Sequence, residues 1–246
     1  MKNIIIIKTG DTFPEIKVEH GDFEDMFASS LDGIDVNLDL YDARDQEPLP
    51  DLANYAGVVI TGSHAMATNC EPWSERLLPY IRSLHKNALP TLGVCYGHQL
   101  ITKALGGEID FHPNGPQAGS TEITLTEAGK QDQLLGSSPE SFKVNAGNSQ
   151  RITKLPQGAT VLAGNDFEPH QAIRFGEAMW GLQFHPEFNR QITCAYIKRT
   201  AEVLHKHGRN TEEIKSNCID TVDSSEVLKN FARLTTQPKA SYRAQL

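Results

Sequence analysis

No stretch of this chain is apolar for long enough to cross a bilayer or to form the core of a secretory leader. The opening run Ile4-Ile5-Ile6-Ile7 stops at Lys8, whereas a span needs about 20 apolar residues and a leader core about 7–15. Neither a membrane partner nor export is expected. Cysteine is scarce too. The four at positions 70, 95, 194 and 218 make no C-x-x-C pair, which excludes a disulfide scaffold and fits a reducing, cytoplasmic setting. The nine histidines show no zinc-ligand spacing, so no metal is expected and most imidazoles are assigned to the surface. Neither G-x-G-x-x-G nor a phosphate-binding P-loop occurs, and no cofactor is expected. Basic residues are in deficit: 23 Lys and Arg stand against 31 Asp and Glu, a net charge of −8 at pH 7. An acidic chain without a basic stripe is poorly suited to a phosphate backbone, so nucleic acid is not an expected partner.

What is present is ordinary globular composition, with 39% hydrophobic and 22% charged residues in 246, which excludes a disordered or fibrous chain. Ile4–Ile7 does not alternate with polar residues, so it reads as a strand buried on both faces. Further strands are expected at Val36–Tyr41, Gly57–Ile60 and Thr91–Cys95, with helices over 22–31, 73–87 and from residue 96 to Leu105. The last of these stops at Gly106-Gly107. This β-α-β-α order predicts an α/β fold, an open and mostly parallel sheet with helices on both faces. From 108 to 184 the rhythm changes to strands at Ile123–Leu125, Phe142–Val144, Ala159–Ala163, Ala172–Phe175 and Trp180–Phe184. Turn signals separate them, among them Asn114-Gly115-Pro116 and Ala146-Gly147-Asn148. One helix is expected over 190–206. The division is a domain over 1–207 and a C-terminal helical extension, 208–246, packed on that domain. Residues 223–234 are its helix, and the last dozen residues are read as polar and loose.

The most informative stretch is Gly93-Val94-Cys95-Tyr96-Gly97-His98-Gln99. A lone cysteine in an apolar strand is usually a small core residue, but here glycines bracket it between a strand and a helix, the sulfur form of a nucleophile elbow. Side chains at 93 and 97 would collide with neighbouring backbone in so sharp a turn. Cys95 is therefore expected to project into a crevice, where the partial positive charge of a helix start favours the reactive thiolate. A thiolate needs a proton carrier and something to orient it. Phe184-His185-Pro186-Glu187-Phe188 offers both, because residues two apart in extended chain face the same side, and a carboxylate beside an imidazole holds one tautomer. Backbone amides for an oxyanion are expected from Tyr96 and from the turn Thr61-Gly62-Ser63.

Together, G-V-C-Y-G-H-Q, G-L-Q-F-H-P-E-F and the turn at 61–63 resemble the class I, or triad, glutamine amidotransferases, and most nearly the stand-alone GMP-synthase-like members. The resemblance implies a flavodoxin-like sheet carrying added antiparallel strands. It implies Cys95 as nucleophile, His185 as acid and base, Glu187 as orienter, and Gly62, Ser63, Tyr96 and Gln99 around the substrate. The implied reaction is hydrolysis of the glutamine side-chain amide through a cysteinyl thioester, with release of ammonia to a separate ammonia-accepting synthase subunit. Hydrolysis of γ-glutamyl peptides without a partner stays open, as does a non-catalytic binding module on the same fold. A homodimer is compatible with each. Two departures stand out. GMP-synthase amidotransferase domains usually read Ser-Gly-Gly-Pro where this chain has Thr61-Gly62-Ser63-His64, and no ATP-pyrophosphatase loop is present.

Overall fold

A computed structural model describes residues 2–45 and 48–236. The first half runs β1 (Lys2–Lys8), α1 (Pro14–His20), α2 (Phe23–Ser30), β2 (Val36–Asp42), β3 (Gly57–Ile60), α3 (Pro72–Lys86), β4 (Thr91–Val94) and α4 (Tyr96–Ala104). The strand-rich middle is β5 (Glu108–Phe111), β6 (Gln117–Leu125), α5 (Glu127–Lys130), β7 (Ser141–Asn148), β8 (Gln150–Lys154), β9 (Ala159–Gly164), β10 (Ala172–Phe175) and β11 (Met179–Leu182). Helices α6 (Arg190–Arg199), α7 (Ala201–Lys206), α8 (Thr211–Ser216) and α9 (Val222–Thr236) follow. Among the described residues no helix is long and apolar enough to cross a membrane. The closing residues, expected to be loose, lie outside the described part from 237 onward.

Nine strands form one sheet in the order β2-β1-β3-β4-β11-β10-β9-β6-β7, and β5 pairs with β8 apart from it. From β2 to β11 the strands are parallel, and from β10 to β7 they are antiparallel. The sheet is thus open and mostly parallel at one end with an antiparallel extension, as the alternation of elements predicted. Strand β1 shows why its four isoleucines do not alternate with polar residues. Ile4 and Ile6 pack with Phe27, Leu31 and Phe231 on one face, and Ile5 and Ile7 pack with Leu77, Ile81 and Ile101 on the other. Both faces are covered, so both sets must be apolar. Helix α9 belongs to the first layer: Val227, Leu228 and Phe231 are buried there, and a Cβ on Gly57 of β3 would lie 2.4 Å from Thr235 Cγ2.

Three local expectations give way. Ala146-Gly147-Asn148 is the end of strand β7, paired with Gln117–Gly119, rather than a turn. Cross-strand hydrogen bonding there outweighs the turn preference of glycine and asparagine. The helix over 190–206 divides into α6 and α7 at Thr200, whose Oγ1 hydroxyl donates to the Tyr196 carbonyl at 2.7 Å, a back-bond of the kind that bends helices. Two histidines expected at the surface are buried. His98 sits wholly inside, where desolvation pushes its pKa down to about 3, and His112 stacks on Phe167 with ring centroids 3.9 Å apart.

Candidate active site

Parallel sheets of this winding leave a crevice beyond the carboxyl ends of their strands. Here the ends of β1, β3, β4 and β11 converge. Val94 of β4 pairs with Leu182 of β11, and the first residue after β4, Cys95, donates its backbone N–H to the Leu182 carbonyl at 2.7 Å. The chain then reverses into α4 with Cys95 at φ 50°, ψ −100°. That backbone conformation is strained for a residue with a side chain. Only glycine fits on either side. A Cβ at 93 would lie 2.6 Å from the Gly97 carbonyl, and one at 97 would lie 2.3 Å from the Ile60 carbonyl.

After β11 the chain does not continue as extended strand. Residues 185–188 form a turn closed by the Phe188 N–H donating to the His185 carbonyl at 3.3 Å. His185 and Glu187 are neighbours all the same: His185 Nδ1 and Glu187 Oε1 are 2.7 Å apart, with side-chain exposures of 5% and 0%. The adjacency expected from strand alternation is present, but a turn produces it. The Cys95 thiol donates to the Gly147 carbonyl at 3.8 Å, and its charge acts on the imidazole beside it. Burial by itself would push this imidazole down; the charges of Glu187 and Cys95 outweigh it and raise the His185 pKa to about 10. Phe188 stacks on the ring at 4.1 Å. The His185 backbone N–H donates to the Asn145 carbonyl of β7 at 2.8 Å, and Asn145 Nδ2 donates to the Phe188 carbonyl at 2.9 Å.

Gly62, Ser63, Tyr96 and Gln99 also come to this point. A Cβ on Gly62 would stand 3.1 Å from His185 Cε1 and 3.7 Å from Cys95 Cβ, so Gly62 covers the pair closely. Ser63 lines the cavity above Cys95. Among the described residues neither the Ser63 nor the Tyr96 backbone N–H is engaged in a hydrogen bond, whereas the Gly97 N–H donates to the Thr61 carbonyl at 3.1 Å. Gln99 reaches the cavity from α4. Its Nε2 donates to the Gln150 carbonyl and to Gln183 Oε1, both at 3.1 Å, which leaves its carbonyl oxygen to meet a ligand.

Sequence reasoning missed several contributors. Thr9, just past β1, donates its hydroxyl to the Thr61 and Gly62 carbonyls, both at 3.0 Å, and shapes the 61–63 turn. Gly10 gives that turn room, since its Cβ would meet Ser63 Oγ at 2.5 Å. Asn148 and Gln150 line the cavity from the β7–β8 corner, and Phe13, His64 and Tyr196 line another side. The signal for Thr9 and Gly10 was topological: they end the strand beside β3, at the switch in strand order. The cavity has a volume of about 270 Å³ with Cys95 among its lining residues.

A sheet of this winding, with a cysteine on the strained turn after β4 and a hydrogen-bonded His–Glu pair after β11, defines a class. The glutamine amidotransferase class-I family model matches residues 22–202, and the chain belongs to that family. It is 30% identical over 193 residues to Gamma-glutamyl peptidase 5 of Arabidopsis thaliana, with 76% of each chain covered. It is 33% identical over 138 residues to the glutamine-hydrolyzing GMP synthase of Porphyromonas gingivalis, covering 56% of this chain and 26% of that one. The crystal structure of a glutamine amidotransferase from Thermotoga maritima has the same fold, with a TM-score of 0.72 at 20% identity over 96% of this chain and 99% of that one.

Proposed function

We propose that this protein hydrolyses a γ-glutamyl amide through a thioester on Cys95. The observation that carries the reading is the grouping of Cys95, His185 and Glu187: His185 Nδ1 lies 2.7 Å from the Glu187 carboxylate, and a Cβ on Gly62 would stand 3.1 Å from His185 Cε1 and 3.7 Å from Cys95 Cβ. With the proton already on His185, the Cys95 sulfur attacks the γ-carbonyl carbon, and the C=O electron pair moves onto oxygen. The Ser63 and Tyr96 amides receive that oxyanion. The tetrahedral carbon collapses, the C–N bond breaks, and His185 passes its proton to the departing nitrogen. Water then attacks the thioester carbonyl with His185 as base, releasing glutamate and restoring the thiolate. Glu187 keeps the ring in one tautomer and offsets its positive charge. Gln99 and the Gly62 turn hold the glutamyl group.

With glutamine as donor the released amine is ammonia, and a separate synthase subunit is the acceptor this chemistry requires in biosynthesis. The likeness to a plant γ-glutamyl peptidase supports larger donors, for which no acceptor is needed. The four free thiols support a cytoplasmic setting.

The test is to treat purified protein with a diazoketone analogue of glutamine and locate the mass shift by peptide mapping, alongside turnover of glutamine and of γ-glutamyl amides. A glutamyl-sized adduct on Cys95 is expected, together with loss of turnover in Cys95→Ala. Absence of the adduct, or parental turnover by the variant, would overturn the proposal.

A further inference from the structure

Cys95, Ser63 and Gln99 account for one side of the cavity and leave one wall unexplained. When ammonia departs it needs little room, yet the cavity extends to Phe13, Tyr196, Ile197, Val203 and Leu204. This wall is on the side of the acid. Phe188 stacks on His185 at 4.1 Å, Tyr196 is 4.9 Å from Phe188, and Phe13 is 5.5 Å from Tyr196. His185 must protonate the departing nitrogen, so whatever that nitrogen carries is directed along this aromatic row.

The wall is also uncharged. Among the described residues lining the cavity there is no Lys, Arg, Asp or Glu. The Tyr196 hydroxyl is engaged with Thr12 Oγ1 at 2.5 Å, leaving the ring to face a ligand. His64, stacked on Phe13 at 4.0 Å, is kept neutral by burial and then by the neighbouring His185, both of which lower its pKa. Arg199 lies behind Phe13, 4.6 Å from its ring centroid, and is paired with Glu15 at 2.9 Å. A charged group brought here would lose water without gaining a counter-charge, whereas an apolar group would gain by leaving water.

We infer that this wall is a leaving-group subsite, and that the substrate class is γ-glutamyl amides of amines carrying a neutral alkyl or aryl body. The inference rests on the γ-glutamyl reading above and narrows it. The bond that breaks is the same γ-amide C–N bond, the proton on the departing amine comes from His185, and water completes the hydrolysis.

The experiment compares kcat/KM for three donors: γ-glutamyl benzylamide, the γ-glutamyl amide of 4-aminobutyrate, and glutamine. The benzylamide is expected to exceed the aminobutyrate amide at least tenfold, which corresponds to about 1.4 kcal/mol. Val203 is 47% exposed at the mouth of the cavity, so Val203→Glu adds a carboxylate there without burying it in the core. It is expected to lower turnover of both larger donors relative to glutamine, the benzylamide by lost apolar contact and the aminobutyrate amide by charge repulsion. A benzylamide-to-glutamine ratio unmoved by Val203→Glu overturns the subsite. Equal turnover of the two amides by the parent protein overturns it as well, as does turnover of glutamine alone, which would leave the Cys95 chemistry intact. Failure of every donor to acylate Cys95 overturns the underlying reading instead.

Discussion

Replacing Glu187 with glutamine removes one buried negative charge while keeping the shape of the side chain. In the protein Glu187 Oε1 lies 2.7 Å from His185 Nδ1, with both groups out of solvent. A hydrogen bond to a charged partner contributes about 1.5–3 kcal/mol, and a neutral amide retains only part of it. If that difference is felt where His185 becomes positively charged, kcat/KM for a γ-glutamyl donor falls about 10–100-fold, at roughly 1.4 kcal/mol per decade. Stability against pH provides a second signature. Burial lowers the His185 pKa, and the Glu187 and Cys95 charges more than reverse this, raising it from 6.5 to about 10. A raised folded-state value means that the protonated ring stabilises the fold fully below pH 6.5 and loses that contribution as pH climbs towards 10. Without the carboxylate, burial has less opposing it and the ring titrates lower. Glu187→Gln should therefore lose less stability than the parent between those limits. Urea midpoints at pH 6.5 and pH 10, with kcat/KM at neutral pH, measure both effects. Undiminished kcat/KM together with an unchanged stability difference would refute the role assigned to this carboxylate.

Further outcomes concern the frame around the site. Gly97→Ala places a methyl 2.3 Å from the Ile60 carbonyl, a backbone atom that cannot step aside, and should cost about 1–3 kcal/mol in urea unfolding; unchanged stability would contradict the close approach. Phe231 on α9 is 1% exposed, so Phe231→Ala should cost about 3–5 kcal/mol in a single cooperative transition. A loss under 1 kcal/mol, judged against that range, would show α9 to be dispensable to the core. Asp22 accepts hydrogen bonds from Lys8, at 2.7 Å, and from the Thr12 and Phe23 amides. Burial would raise its pKa, but Lys17, Lys8 and these amides hold it below 3.8. Its contribution is thus present above pH 3.8 and lost as pH falls. Asp22→Asn should be less stable at neutral pH yet flatter on acidification, as followed by circular dichroism; an unaltered acid transition would argue that other carboxylates govern it.

Much of the site could be read from sequence because two of its parts are local. Gly93 and Gly97 bracket Cys95 at a spacing that only a strand-to-helix turn requires, and His185 and Glu187 sit two residues apart. The parallel half of the sheet was legible for a similar reason: apolar runs such as Ile4–Ile7 must be covered on both faces. What escaped was set by contacts distant in sequence. Helix α1 buries only Ile16, so it has no apolar stripe to detect. Strand β5 has no fully buried residue, and β8, its partner, buries only Gln150 and Ile152, too few for a pattern. The cavity wall unites Phe13, Tyr196 and Val203, which share no pattern until the chain is folded. The His–Pro–Glu adjacency was read correctly through extended-chain alternation, though the structure reaches it through a turn.

Strands β4 and β11 are hydrogen-bonded neighbours, and the sulfur leaves one while the imidazole leaves the other at the same edge. The spacing between them is held by that ladder and, on the imidazole side, by the His185 N–H donating to the Asn145 carbonyl at 2.8 Å. A regulator binding elsewhere would find that distance hard to alter. Under the proposed chemistry, control over turnover comes through the surrounding walls, by admitting or obstructing the donor.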